Sequence, residues 1–150
     1  MKHFKFLLIN IVAFSALFFL ISLLFPGQLV TSKTISVAVS KGKIAAKLNN
    51  TTDWKSWNGF ADATAVTTHA TNNADSLVFT FENNNHHQLR SHYILYQEQA
   101  NAVMLNWALI EKLPWYKPWK KFSAMVTSKE VAAVMDSSLN TFKIQIEAAK

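Results

Sequence analysis

Residues 6–25 read FLLINIVAFSALFFLISLLF, an uncharged run whose only polar interruptions are Asn10, Ser15 and Ser22. As a helix rising about 1.5 Å per residue, such a run is about 30 Å long and matches the hydrocarbon thickness of a bilayer. A helix satisfies every backbone hydrogen bond internally, as lipid requires, and Pro26-Gly27 ends this one where the chain would return to water. The competing reading is a cleavable secretory signal. The run is longer than the roughly 7 to 15 apolar residues of such a signal, and no Ala-x-Ala site follows it. We therefore expect an uncleaved single-pass anchor over residues 1–30 and one domain over residues 31–150. Lys2 and Lys5 precede the run, and no basic residue follows it until Lys33. The positive-inside bias then places the N-terminus in the cytoplasm and the domain outside it, in the periplasm if the cell is a Gram-negative bacterium.

Residues 31–150 are enough for one hydrophobic core and too few for two. The chain has no cysteine, which excludes disulfides, thiol nucleophiles and Cys-ligated metal centres. Its net charge of +6 comes from scattered lysines, with Arg90 the one arginine. That pattern lacks a nucleic-acid-binding motif, so no nucleic-acid partner is expected, and mild attraction to anionic lipid headgroups is the simpler use of the charge.

Residues 31–40 alternate, with Ile35, Val37 and Val39 on one face, which predicts a half-buried strand. In residues 41–48 the period changes, and Ile44, Ala45 and Leu48 fall on one helical face before the Asn49-Asn50-Thr51-Thr52 break. Trp54 and Trp57, three apart, share one side of a further helical turn. Residues 61–69 read weakly as strand. Residues 76–82 alternate through Leu77, Phe79 and Phe81, while 87–97 and 102–110 form a predicted antiparallel hairpin carrying Val103, Leu105 and Trp107. Residues 114–119, PWYKPW, make a corner, and residues 120–125 read as one or two helical turns. Thr127-x-x-Glu130 fits a capping box, and Val131, Met135, Leu139, Phe142 and Ile146 after it predict an amphipathic helix of about 20 residues. Such a helix must cover the sheet, so the fold class is α+β.

This order of elements resembles the SRPBCC superfamily, and more narrowly the membrane-anchored polyketide-cyclase/dehydrase-like (START-like) proteins of bacteria. The residues that carry the resemblance are Trp54-Lys55-Ser56-Trp57, the strand ending Leu105-Asn106-Trp107-Ala108-Leu109, Pro114-Trp115 through Phe122, and Ser138-Leu139-Asn140-Thr141-Phe142-Lys143. The resemblance implies a helix-grip fold, in which an antiparallel sheet curves around a long C-terminal helix and a ligand lies between them. This sequence departs from the pattern between Trp57 and Ser76, where the family has room for an additional strand pair, so a shortened sheet is expected. The candidate cavity lining, by alternation and helical spacing, is Phe79, Phe81, Leu105, Trp107, Met135, Leu139 and Phe142.

No catalytic constellation emerges. His69, His86, His87 and His92 lack metal-ligand spacing, and Glu98 and Glu111 have no acid–base partner motif, so neither a metal nor a cofactor is expected. Asn50-Thr51-Thr52 matches a glycosylation sequon, which has meaning only in a eukaryotic secretory pathway. The five tryptophans read first as core-closing residues. A sharper reading takes Trp115, Tyr116 and Trp119, interleaved with Lys112, Lys117, Lys120 and Lys121, as a headgroup-level contact. The expected function is a membrane-tethered module binding a small apolar ligand or lipid. The alternatives are a cyclase- or dehydratase-like enzyme using the same cavity and a ligand-free interaction domain.

Overall fold

The computed structural model describes residues 2–61, 65–67, 75–82, 88–99 and 102–149. Helix α1 spans Lys2–Leu23, strand β1 Gln28–Val37 and helix α2 Lys41–Asn49, followed by a 3-10 helix over Thr51–Ser56. Strands β2 (Ala65–Thr67), β3 (Ser76–Glu82), β4 (Gln88–Gln99) and β5 (Ala102–Lys112) come next, and helix α3 (Pro118–Ala148) ends the chain. The strands form one antiparallel sheet in the order β1-β5-β4-β3-β2. This is a helix-grip arrangement: α3 lies across one face of the sheet, and one apolar helix precedes them.

Alternation sets which face is buried. Leu77 and Phe79 of β3, Tyr93 and Leu95 of β4, Val103, Leu105 and Trp107 of β5 and Val37 of β1 all point inward and are buried. Register brings Tyr93 opposite Trp107, with stacked rings 5.4 Å apart, and Leu95 opposite Leu105. Met135, Leu139, Phe142 and Ile146 of α3 close over them. The turn after α2 adds Trp54 and Trp57, whose rings meet Phe79 at 4.8 Å and Phe142 at 4.9 Å. Trp54 Nε1 donates to the Leu48 carbonyl at 2.8 Å, so this indole buries its apolar body without stranding its polar edge. Asp53 holds the turn to α2 through Lys47 at 2.7 Å, and that hydrogen bond, with a second from Ser56, keeps its carboxyl below the ordinary carboxylate range.

Helix α3 differs from the predicted element. It has 31 residues and starts at Pro118, not at Thr127. Proline at the first helical position loses no hydrogen bond and has its φ already set, so the helix begins there. At Thr127 the backbone is already helical and offers no free donor. The Thr127 hydroxyl instead donates back to the Ser123 carbonyl at 3.1 Å, so the capping-box residues are present without the box.

Helix α1 contains the 21-residue segment His3–Leu23, of mean hydropathy 2.6, long and apolar enough to cross a bilayer. Its side chains are exposed except near its C-terminal end, where it meets the start of α3. The chain then enters the sheet directly, and the Leu113 amide donates to the Gly27 carbonyl at 2.9 Å, fastening the end of β5 to the turn before β1.

Candidate ligand cavity

Side-chain size along α3 divides the space beneath it into two halves. Toward the C-terminus the sheet-facing residues are Met135, Leu139 and Phe142, and the space is filled. Toward the N-terminus the corresponding residues are the smaller Ala124, Thr127 and Val131. A cavity of about 370 Å³ lies there, with Leu29 and Thr31 of β1, Leu89 of β4, Leu109 and Glu111 of β5 and Phe60 completing its wall. Register explains the polar group among them. Glu111 pairs with Leu29 on one side and Leu89 on the other, so its carboxylate stands on the inward face of an otherwise apolar row. Thr31, Ser123 and Thr127 contribute hydroxyls.

The residues expected to line a cavity are placed differently. Phe79, Leu105, Trp107, Met135, Leu139 and Phe142 do come together between sheet and helix, but as packed core, each at most 2% exposed. The backbone of Phe81 pairs with Val66 and Leu89, and its side chain lies outside the described residues. The tryptophans of the 54–57 turn fill the space that these residues would otherwise have enclosed. None of those six is in the wall of the 370 Å³ cavity. The residues that line it on α3 are small side chains at helical spacing, but the sequence divides them between the 120–125 turns, the capping box and the predicted helix, so they do not read as one face.

Polar groups within the packed half are sparsely paired. Trp107 Nε1 donates to Ser91 Oγ at 3.0 Å. Tyr93 Oη and Trp57 Nε1 are buried without a hydrogen-bond partner among the described residues. Burial pushes the Tyr93 hydroxyl far above the ordinary phenol range, and Ser91, near enough to oppose the shift, is not aligned for a good hydrogen bond. Among the described residues no three His, Asp or Glu side chains converge as metal ligands. His92 contacts the Ser76 hydroxyl at 2.7 Å, whereas His69, His86 and His87 lie outside the described residues.

Comparison with solved structures settles the architecture. A START superfamily protein from Mycobacterium smegmatis superposes with a TM-score of 0.60 at 12% identity, covering 81% of this chain and 99% of that one. The two share the helix-grip fold. The di-domain ARO/CYC protein StfQ of the steffimycin biosynthetic pathway matches with a TM-score of 0.58 at 9% identity, over 81% of this chain and 51% of its own length. Protein TTHA0849 from Thermus thermophilus matches with a TM-score of 0.53 at 8% identity, over 81% and 99%. No family model matches the sequence, and no curated protein is similar to it. At these identities the START-like likeness is one of fold. The SRPBCC resemblance in the tryptophan-bearing segments thus holds for the architecture.

Proposed function

We propose that the chain is a membrane-tethered START-like module that holds a small apolar ligand, such as part of a lipid, beneath the N-terminal half of α3. The observation that carries this reading is the cavity of about 370 Å³, which lies within the roughly 300–1,000 Å³ of small-molecule sites. Leucine, phenylalanine, valine and alanine make most of its wall, while Glu111 and three hydroxyls can orient the polar end of a ligand. Helix α1 supports the tether, with the lysine asymmetry favouring a cytoplasmic N-terminus and the sheet and α3 outside. The START-like fold supports a site between sheet and helix.

Native mass spectrometry of the full chain, released from detergent micelles, tests this. The wild type should carry a lipid-sized mass, and Ala124→Trp, whose indole would occupy the cavity that Ala124 lines, should remove it while near-UV circular dichroism stays native. An empty wild-type chain, or an adduct retained by Ala124→Trp, would overturn the reading.

A further inference from the structure

The corner between β5 and α3 exposes three aromatic rings: Trp115 at 63%, Tyr116 at 55% and Trp119 at 59%. Their position beside α1 decides what they meet. Phe122, one turn into α3, stacks on Phe18 with centroids 4.9 Å apart and meets Phe25 edge-on at 5.1 Å, while Trp115 meets Phe19 at 6.0 Å. Phe18 and Phe19 precede the end of α1 by one helical turn or slightly more, about 6 to 8 Å along its axis. The corner therefore runs alongside the last turns of α1 and not beyond them. Lys121 fixes this arrangement. It is 3% exposed, and its Nζ donates to the Ser22 carbonyl at 2.9 Å and the Phe25 carbonyl at 3.1 Å, acceptors at the C-terminal end of α1 where the helix dipole favours a cation.

We propose that this corner is a membrane-interface surface: Trp115, Tyr116 and Trp119 lie at headgroup level in the leaflet from which α1 emerges, with Lys117 reaching the lipid phosphates. The proposal rests on α1 crossing the bilayer, as in the function proposed above. The 21 residues of His3–Leu23 fill a hydrocarbon layer of about 30 Å, so rings held against Phe18 and Phe19 have lipid and not water beside them. Tryptophan and tyrosine favour that depth because each has an apolar body and a polar edge, and lysine adds attraction to anionic headgroups. Val126, 79% exposed and on the helix face of Trp119 and Phe122, continues the surface along α3. Ala124 and Thr127 follow Lys121 by only one or two turns, about 5 to 9 Å, so the cavity lies next to the leaflet and a lipid could enter it without crossing water.

Tryptophan quenching by phospholipids brominated on the acyl chain tests the surface, with the full chain in vesicles of phosphatidylethanolamine and phosphatidylglycerol. Helix α1 has no tryptophan, and Trp54, Trp57 and Trp107 are buried in the core, so Trp115 and Trp119 alone are within reach of lipid. Quenching should be stronger with bromine near the headgroup than near the chain end. The double variant Trp115→Phe/Trp119→Phe, with unchanged circular dichroism, should lose most of it. Undiminished quenching in the double variant, or none in the wild type while the chain resists carbonate extraction, would overturn the surface and leave the cavity reading intact. Release of the chain by carbonate would overturn the tether and the surface together.

Discussion

Gly59, in the loop after the 3-10 helix, lies against α3, and replacing it by alanine should be among the most damaging small changes in the chain. A Cβ at this position would lie 2.7 Å from Val134 Cγ1 and 3.3 Å from Ser138 Oγ. Val134 is β-branched and on a helix, so its rotamer has little freedom to yield, and the loop must move instead. Movement breaks the hydrogen bond from the Gly59 amide to Ser138 Oγ, 2.9 Å long, in a serine already donating to the Val134 carbonyl at 2.7 Å. Overpacking costs about 1 to 3 kcal/mol and the lost hydrogen bond about 1, giving roughly 2 to 4 kcal/mol in total. For a folded unit of this size that is a fall in Tm of about 8 to 16 °C. Thermal unfolding of the full chain in detergent, followed by near-UV circular dichroism, measures it. The decisive comparison is Gly59→Ala/Val134→Ala. Deleting the opposing methyl groups should make the double variant more stable than the sum of the single effects by about 1 kcal/mol or more. Strictly additive losses would show that the close approach to Val134 is not the cause.

Phe142→Ala should cost about 3 to 5 kcal/mol, because the ring is fully buried against Trp57, while Lys143→Ala should change the unfolding temperature little; equal effects would mean that α3 does not pack through this face. The Tyr93 hydroxyl is protonated in the fold well beyond the pH at which an unfolded tyrosine ionises. Stability is therefore indifferent to this group below about pH 10 and falls above it, toward the raised folded value, by up to about 1.4 kcal/mol per pH unit. Unfolding midpoints at alkaline pH should fall less steeply in Tyr93→Phe, and an unchanged slope would refute the assignment. The adduct lost in Ala124→Trp and the quenching lost in Trp115→Phe/Trp119→Phe complete the set.

The sheet was legible wherever one face is apolar and the other polar. Leu77-Val78-Phe79 and Val103 through Trp107 were read correctly because a period of two has one meaning beside a turn signal. Ile44 and Leu48 marked α2 in the same way, through a period near four. The start of α3 was not legible, because Thr127-Ser128-Lys129-Glu130 has the composition of a helix start and only the preceding backbone reveals that the helix is already under way. The sequence reads residues 120–125 as separate helical turns, so Ala124, Thr127 and Val131 do not fall on one continuous helix face and the cavity they wall is not visible in it. The aromatic filling of the other half was hidden for a different reason: alternation tells which residues face inward, not whether Trp54 and Trp57 arrive from elsewhere to meet them. Sequence spacing groups Lys121 with the headgroup lysines, and the structure corrects this, since its ammonium is buried against the end of α1.

Because α3 is one unbroken rod, its two ends are mechanically joined although they do different things. Beyond Met135 it is clamped by interlocking rings and by the Glu147 carboxylate, which accepts from the Ala38 amide at 2.8 Å. At Lys121, about 21 Å earlier along the axis, it is bolted to α1. A slight rocking of α1 would then act on a long arm with the aromatic cluster as its fulcrum, and the stretch to swing would be the one roofing the cavity. If α1 crosses a bilayer, as proposed above, bilayer thickness or curvature would in this way reach the cavity without disturbing the core.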